Sequence, residues 1–128
     1  MASEQALAES AKGTGIKLLV LFGSRARDDV HPNSDWDFGY VGEGGQADED
    51  LLRDRLMSIL ATDRIDLVDL SRASALLRFQ VGAAGKAIRE STPGLFQQFQ
   101  VETAVFWCDI EPVLRHTYAQ ILEKVKAA

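Results

Sequence analysis

Two runs of sequence decide how this chain is read: Ile16-Lys17-Leu18-Leu19-Val20-Leu21-Phe22-Gly23-Ser24-Arg25-Ala26-Arg27, and Ser34-Asp35-Trp36-Asp37-Phe38 shortly after it. Seven nearly continuous apolar residues closed by Gly23 predict a buried strand. A short charged helical segment is expected over Ser24 to Asp29, then a loop of turn formers up to Ser34. From Asp35 to Val41 the residues alternate. Trp36, Phe38 and Tyr40 fall on one side, and Asp35, Asp37 and Gly39 on the other, as in a strand with one face in a core. A strand that ends in Gly-Ser where a helix begins offers unpaired backbone N–H groups and the positive end of a helix dipole, both suited to a phosphate. Gly23 allows close backbone approach, and the Ser24 hydroxyl adds a donor. The guanidinium forks of Arg25 and Arg27 match phosphate oxygens.

Asp35 and Asp37, two apart on a strand, point to the same face and repel each other unless a cation lies between them. Magnesium takes oxygen ligands and is commonly held by one or two carboxylates together with substrate phosphates. Two such ions about 4 Å apart would clamp the attacking and leaving oxygens of an in-line phosphoryl displacement. A third acid is expected from the strand Arg64 to Leu70, which offers Asp66 and Asp69 on opposite faces. Asp66 lies between Ile65 and Leu67, where an unpaired carboxylate is costly, and is favoured as the third ligand or as the base that takes the proton from an attacking hydroxyl. Asp69, nearer the strand end, reads as solvated or as a cap for the following helix.

Working outward, helices are expected over Ser3 to Lys12, Leu51 to Ala61 and Ser74 to Ala83, with a short strand over Gly85 to Glu90. Gly42 to Asp50 reads as a flexible acidic loop. Pro93 opens a long final helix that Pro112 should kink or divide. The result is an α/β (α+β) chain with a small mixed sheet and flanking helices. Its 128 residues suit one domain, with a core over residues 16–90 and a helical segment over 93–126. The 46% hydrophobic content argues against disorder, and the net charge of −5 disfavours direct nucleic-acid binding. No apolar run reaches membrane-spanning length, and the N-terminus lacks the order of a signal peptide, so a cytoplasmic setting without membrane contact is expected. The single cysteine, Cys108, excludes an internal disulfide framework and reads as a buried small hydrophobe.

At Phe22-Gly23-Ser24, Asp35-Trp36-Asp37-Phe38 and Ile65-Asp66-Leu67, the chain resembles the nucleotidyltransferase superfamily that includes DNA polymerase β. The strings Gly23-Ser24-Arg25-Ala26-Arg27 and Ile65-Asp66-Leu67-Val68-Asp69-Leu70 bring it closer to the minimal nucleotidyltransferases. That resemblance implies an antitoxin paired with a helical HEPN ribonuclease toxin, moving AMP from ATP onto a toxin tyrosine. It implies Asp35, Asp37 and Asp66 as catalytic and metal-binding residues for two magnesium ions, and Gly23, Ser24, Arg25 and Arg27 as nucleotide-binding residues. Asp28 stands where such proteins commonly have glycine. Two other readings share the motif: a small-molecule nucleotidyltransferase of the aminoglycoside type, and a non-enzymatic antitoxin that acts by occlusion. The first needs an acceptor pocket usually built by a further domain, and the second has no use for three clustered carboxylates.

His31 reads as an exposed loop residue, and the His116-x-Tyr118 string as helix surface. Phe96, Phe99, Phe106 and Trp107 are expected either in the core or on a docking face for the toxin or a second copy of this chain.

Overall fold

The computed structural model describes residues 3–27, 34–44 and 46–127. The chain order is α1 (Glu4–Ser10), β1 (Ile16–Phe22), a 3-10 turn (Gly23–Arg25), β2 (Trp36–Gly42), α2 (Glu49–Leu60), β3 (Ile65–Asp69), α3 (Ala75–Ala84), β4 (Lys86–Glu90) and α4 (Leu95–Ala127). Side-chain oxygens start three of the helices: Ser3, Asp48 and Ser74 accept from the N–H groups of Ala6, Leu51 and Leu77.

The four strands form one mixed sheet in the order β3-β2-β1-β4. β1 is antiparallel to both β2 and β4, whereas β2 and β3 run parallel, joined through α2. Alternation along each strand divides the core in two. Leu19, Leu21, Phe38, Tyr40 and Ile65 pack with Leu7 of α1 and with Leu52 and Leu56 of α2. On the opposite face Leu18, Val20 and Leu70 pack with Val81 of α3 and Phe99 of α4. The Tyr40 hydroxyl, buried at the first face, donates to Glu49 at 3.0 Å. Burial and that carboxylate push its pKa up to about 12.

Helices α3 and α4 approach closely where Gly82 meets Thr103. A Cβ on Gly82 would come within 2.8 Å of the Thr103 Oγ1, and the Gln100 side chain donates to the Gly82 carbonyl at 2.9 Å. The sheet, its mixed character and every predicted element are present, the helical segment after β1 as one 3-10 turn whose expected end, Asp28 and Asp29, lies outside the described residues. Two expectations change. Pro112 lies inside α4 without dividing it: proline costs the helix one hydrogen bond, to the carbonyl of Cys108 one turn back, on a stretch where water can replace it. Cys108 is exposed rather than buried, because α4 runs past the body of the domain.

Phe96, Phe99, Phe106 and Trp107 of that helix divide between the two expectations. Phe99 is buried and Phe96 packs beside it. Trp107 stacks on Phe79 of α3, ring centres 6.0 Å apart, whereas Phe106 is half exposed. No helix among the described residues is long and apolar enough to cross a membrane.

Candidate active site

The site is built where β1 ends and β2 and β3 begin. Trp36 and Phe38 turn toward α1 and α2, so Asp37 points to the other face of the sheet. On β3, Ile65 and Leu67 share that inward direction, which turns Asp66 the same way as Asp37. The parallel register sets Asp37 directly beside Asp66. Helices α3 and α4 cover the other end of this face, over Leu18, Val20 and Leu70, so among the described residues the acidic end stays open. Asp37 is half-buried, while Asp66 and Asp35 are exposed. Asp66 therefore does not carry the burial cost its apolar neighbours suggested, because the edge strand shows that side to solvent.

Register also separates the two acids of β3. Asp69 pairs across to Tyr40 at the far end of the strand. Its carboxylate accepts from the Ser71 N–H at 3.0 Å and hydroxyl at 2.6 Å, closing the turn before α3.

Desolvation first, then the negative charges of Asp66 and Asp35 and a hydrogen bond with Asp66, raise the Asp37 pKa above the ordinary aspartate value. This crowding is what a cation would relieve. Among the described residues no three acidic, histidine or cysteine side chains gather tightly enough to enclose an ion by themselves. The arrangement is a close pair, Asp37 and Asp66, with Asp35 near enough to be felt electrostatically. A donor set of two carboxylates with open positions fits magnesium carried on a nucleotide triphosphate better than an all-protein cage.

Gly23 abuts this pair. It has φ +75°, and a Cβ there would run into the Asp37 carboxylate. Glycine is thus required both by the backbone conformation and by the space the carboxylate occupies. The following turn closes with Ala26 N–H to Gly23 carbonyl and Arg27 N–H to Ser24 carbonyl, each 3.2 Å. Such a turn leaves its first N–H groups without partners inside it, although its single turn carries little dipole. Ser24 is half-buried at its start and Arg27 is exposed.

Arg25 goes elsewhere. Its Nη2 donates to the Ser34 carbonyl at 2.9 Å, and its guanidinium carbon lies 4.3 Å from the centre of the Trp36 ring. It lines a hollow with Ala6, Ile59 and Leu60, on the α1–α2 side of the sheet, away from the face that carries Asp37 and Asp66. The sequence reading missed this role, although an aromatic residue between two acids was a visible partner for a nearby arginine. Asp28 and His31 lie outside the described residues.

A small mixed sheet with a Gly-Ser turn and paired acids at its open end defines a nucleotidyltransferase, and the chain belongs to the polymerase beta nucleotidyltransferase family, which it matches over residues 5–93. Among particular relatives, it is 31% identical over 96 residues to the protein adenylyltransferase MntA of Aphanizomenon flos-aquae (strain 2012/KM1/D3). That alignment covers 66% of this chain and 64% of the relative, so the chain spans a little under two thirds of that protein's length. It superposes with a TM-score of 0.78, at 26% identity, on a chain from a crystal structure of a toxin–antitoxin with AMP-PNP, covering 94% of this chain and 98% of that one. A second match, with a TM-score of 0.65 at 25% identity, is to a chain from a structure of the tri-AMPylated Shewanella oneidensis HEPN toxin in complex with MNT antitoxin, covering 92% of this chain and 91% of that one.

Proposed function

We propose that the chain is a protein adenylyltransferase antitoxin, which moves AMP from ATP to a tyrosine hydroxyl of a HEPN-type toxin in the cytoplasm. The observation that carries this reading is the Asp37–Asp66 pair, held side by side by the parallel β2–β3 register against the Gly23 turn. The relatives described above support the choice of a protein acceptor and of an adenine nucleotide.

In this reading Gly23 and Ser24 receive the triphosphate on their backbone and hydroxyl donors, with Arg27 at the rim. Asp37, Asp66 and Asp35 would hold magnesium, two ions in the full complement. Bound there, magnesium supplies the positive charge that the carboxylates and the triphosphate together lack. Asp66, which is exposed, would either complete that metal set or take the proton from the incoming hydroxyl. The hydroxyl oxygen bonds to the α-phosphorus, and the bond to the bridging oxygen breaks, releasing pyrophosphate. The chain contributes mainly position and charge.

The exposed face of α4 is the surface offered to a protein partner. Val101, Val105, Phe106, Val113, Tyr118, Ile121, Leu122 and Val125 are all exposed there, and among the described residues only Leu76 of the other large hydrophobics is comparably exposed. A small-molecule acceptor would have no use for such a face.

Mass spectrometry of the toxin after incubation with this chain, ATP and magnesium tests the reading. A gain of AMP on tyrosine is expected with the wild type. Asp37→Asn should lower transfer by two orders of magnitude or more, on the order of the loss of a principal electrostatic group. Wild-type protein that binds the toxin yet adds no AMP would turn the reading toward occlusion.

A further inference from the structure

Asp35 stands just outside the ladder that fixes Asp37 and Asp66, because β2 begins at Trp36, whose N–H donates to the Arg64 carbonyl at 2.9 Å. Its neighbours on both sides, however, are held by one side chain. Arg25 bonds to the carbonyl of Ser34 and lies over the ring of Trp36. The bond reaches nine positions along the chain, from the turn after β1 to the residue before Asp35. The Trp36 ring is in turn stacked on Phe38 at 6.2 Å, which ties the clamp to the core.

We infer that Arg25 is a positioning residue: it brackets Asp35 between two anchored neighbours and so aims that carboxylate at the metal site, and it does not itself grip phosphate. This rests on the adenylyl-transfer reading above. Only arginine can serve both contacts at once. Its planar guanidinium stacks flat on an indole while an in-plane N–H donates at the edge, and the ammonium of lysine offers a point charge without a face. Among the described residues the Arg25 Nε is buried without a hydrogen-bond partner, so the guanidinium makes its contacts through its face and its Nη2.

Support for metal ligands of this kind is worth 10- to 100-fold in metal affinity or activity, so an effect of about tenfold is expected. The test uses the full chain carrying Arg25→Lys or Arg25→Gln, with Mn2+ as the probe and free Mn2+ read by electron paramagnetic resonance. In both variants the Mn2+ dissociation constant should rise about tenfold and kcat for transfer should fall comparably. The affinity for ATP measured in EDTA and the thermal midpoint should stay near wild type. Trp36→Leu keeps the Ser34 bond and removes the ring, and should give a smaller rise in the Mn2+ constant.

Weaker ATP binding in EDTA with unchanged Mn2+ affinity would return Arg25 to the phosphates and overturn the inference. A lower thermal midpoint with unchanged Mn2+ affinity would overturn it equally, leaving Arg25 a purely structural residue. Failure of the functional reading looks different: wild-type chain would bind Mn2+ and still transfer nothing, whatever stands at position 25.

Discussion

Asp37 carries the conflict on which the site is built. Its carboxylate is half-buried beside Asp66 and its pKa is raised, so the fold opposes its ionisation. A group raised in this way contributes stability that is present below the usual aspartate value near 3.8 and lost as pH rises through the raised value. At neutral pH Asp37 is therefore a liability of the metal-free protein. Asp37→Asn should raise the thermal midpoint at pH 7 while removing activity, and the gain should narrow as pH falls through the raised value and the wild-type carboxyl protonates. Magnesium should stabilise the wild type and leave the variant unmoved. Thermal scans across pH, with and without the metal, check all three. Gly23 is the complementary case. Gly23→Ala places a Cβ at φ +75° and into the Asp37 carboxylate. It should cost about 1–2 kcal/mol by chemical denaturation from the backbone alone, and transfer should fall because Asp37 is displaced.

Among the elements, α4 is unlike the rest. Phe99 and Thr103 are its buried residues, and no described residue after Thr103 is fully buried. Its outer turns are thus held by local helix energetics more than by packing. Pro112 weakens that stretch, since proline in a helix interior costs about 3 kcal/mol relative to alanine. Pro112→Ala should slow amide hydrogen exchange across the outer turns, by an amount no larger than that figure implies, while the global unfolding midpoint barely moves. An equal rise in both would mean that the outer helix folds as one unit with the sheet.

On the scale of the whole molecule, one end of the sheet carries the paired acids and the long helix carries the exposed apolar surface. The two should separate experimentally. A chain ending after Ile110 loses Val113, Tyr118, Ile121, Leu122 and Val125 but keeps Trp107 stacked on Phe79. It should unfold near the wild-type midpoint and bind ATP with magnesium normally, yet transfer AMP to the toxin at least tenfold more slowly, equivalent to about 1.4 kcal/mol or more of lost partner binding. Wild-type transfer rates from the shortened chain would remove α4 from the interface.

What could be read without coordinates is what local chemistry settles. Alternation placed Trp36, Phe38 and Tyr40 inward and so turned Asp37 outward, and a run from Ile16 to Phe22 could only be a covered strand. Gly23 at a tight turn after that strand followed from the same stretch. Relations between distant segments needed the fold. Asp66 and Asp69 are three residues apart and equally acidic, and the parallel register alone sets Asp66 beside Asp37 while sending Asp69 to a turn. Arg25 looked like a phosphate ligand because arginine pairs with phosphate anywhere. Its side chain instead lies against Trp36 and Ser34, on the α1–α2 side of the sheet. Apolar neighbours suggest a buried Cys108, yet burial depends on what lies opposite, and Cys108 falls on an exposed face of α4. Periodicity acts over a few residues and is written in the sequence, whereas register and exposure arise only when separate segments meet.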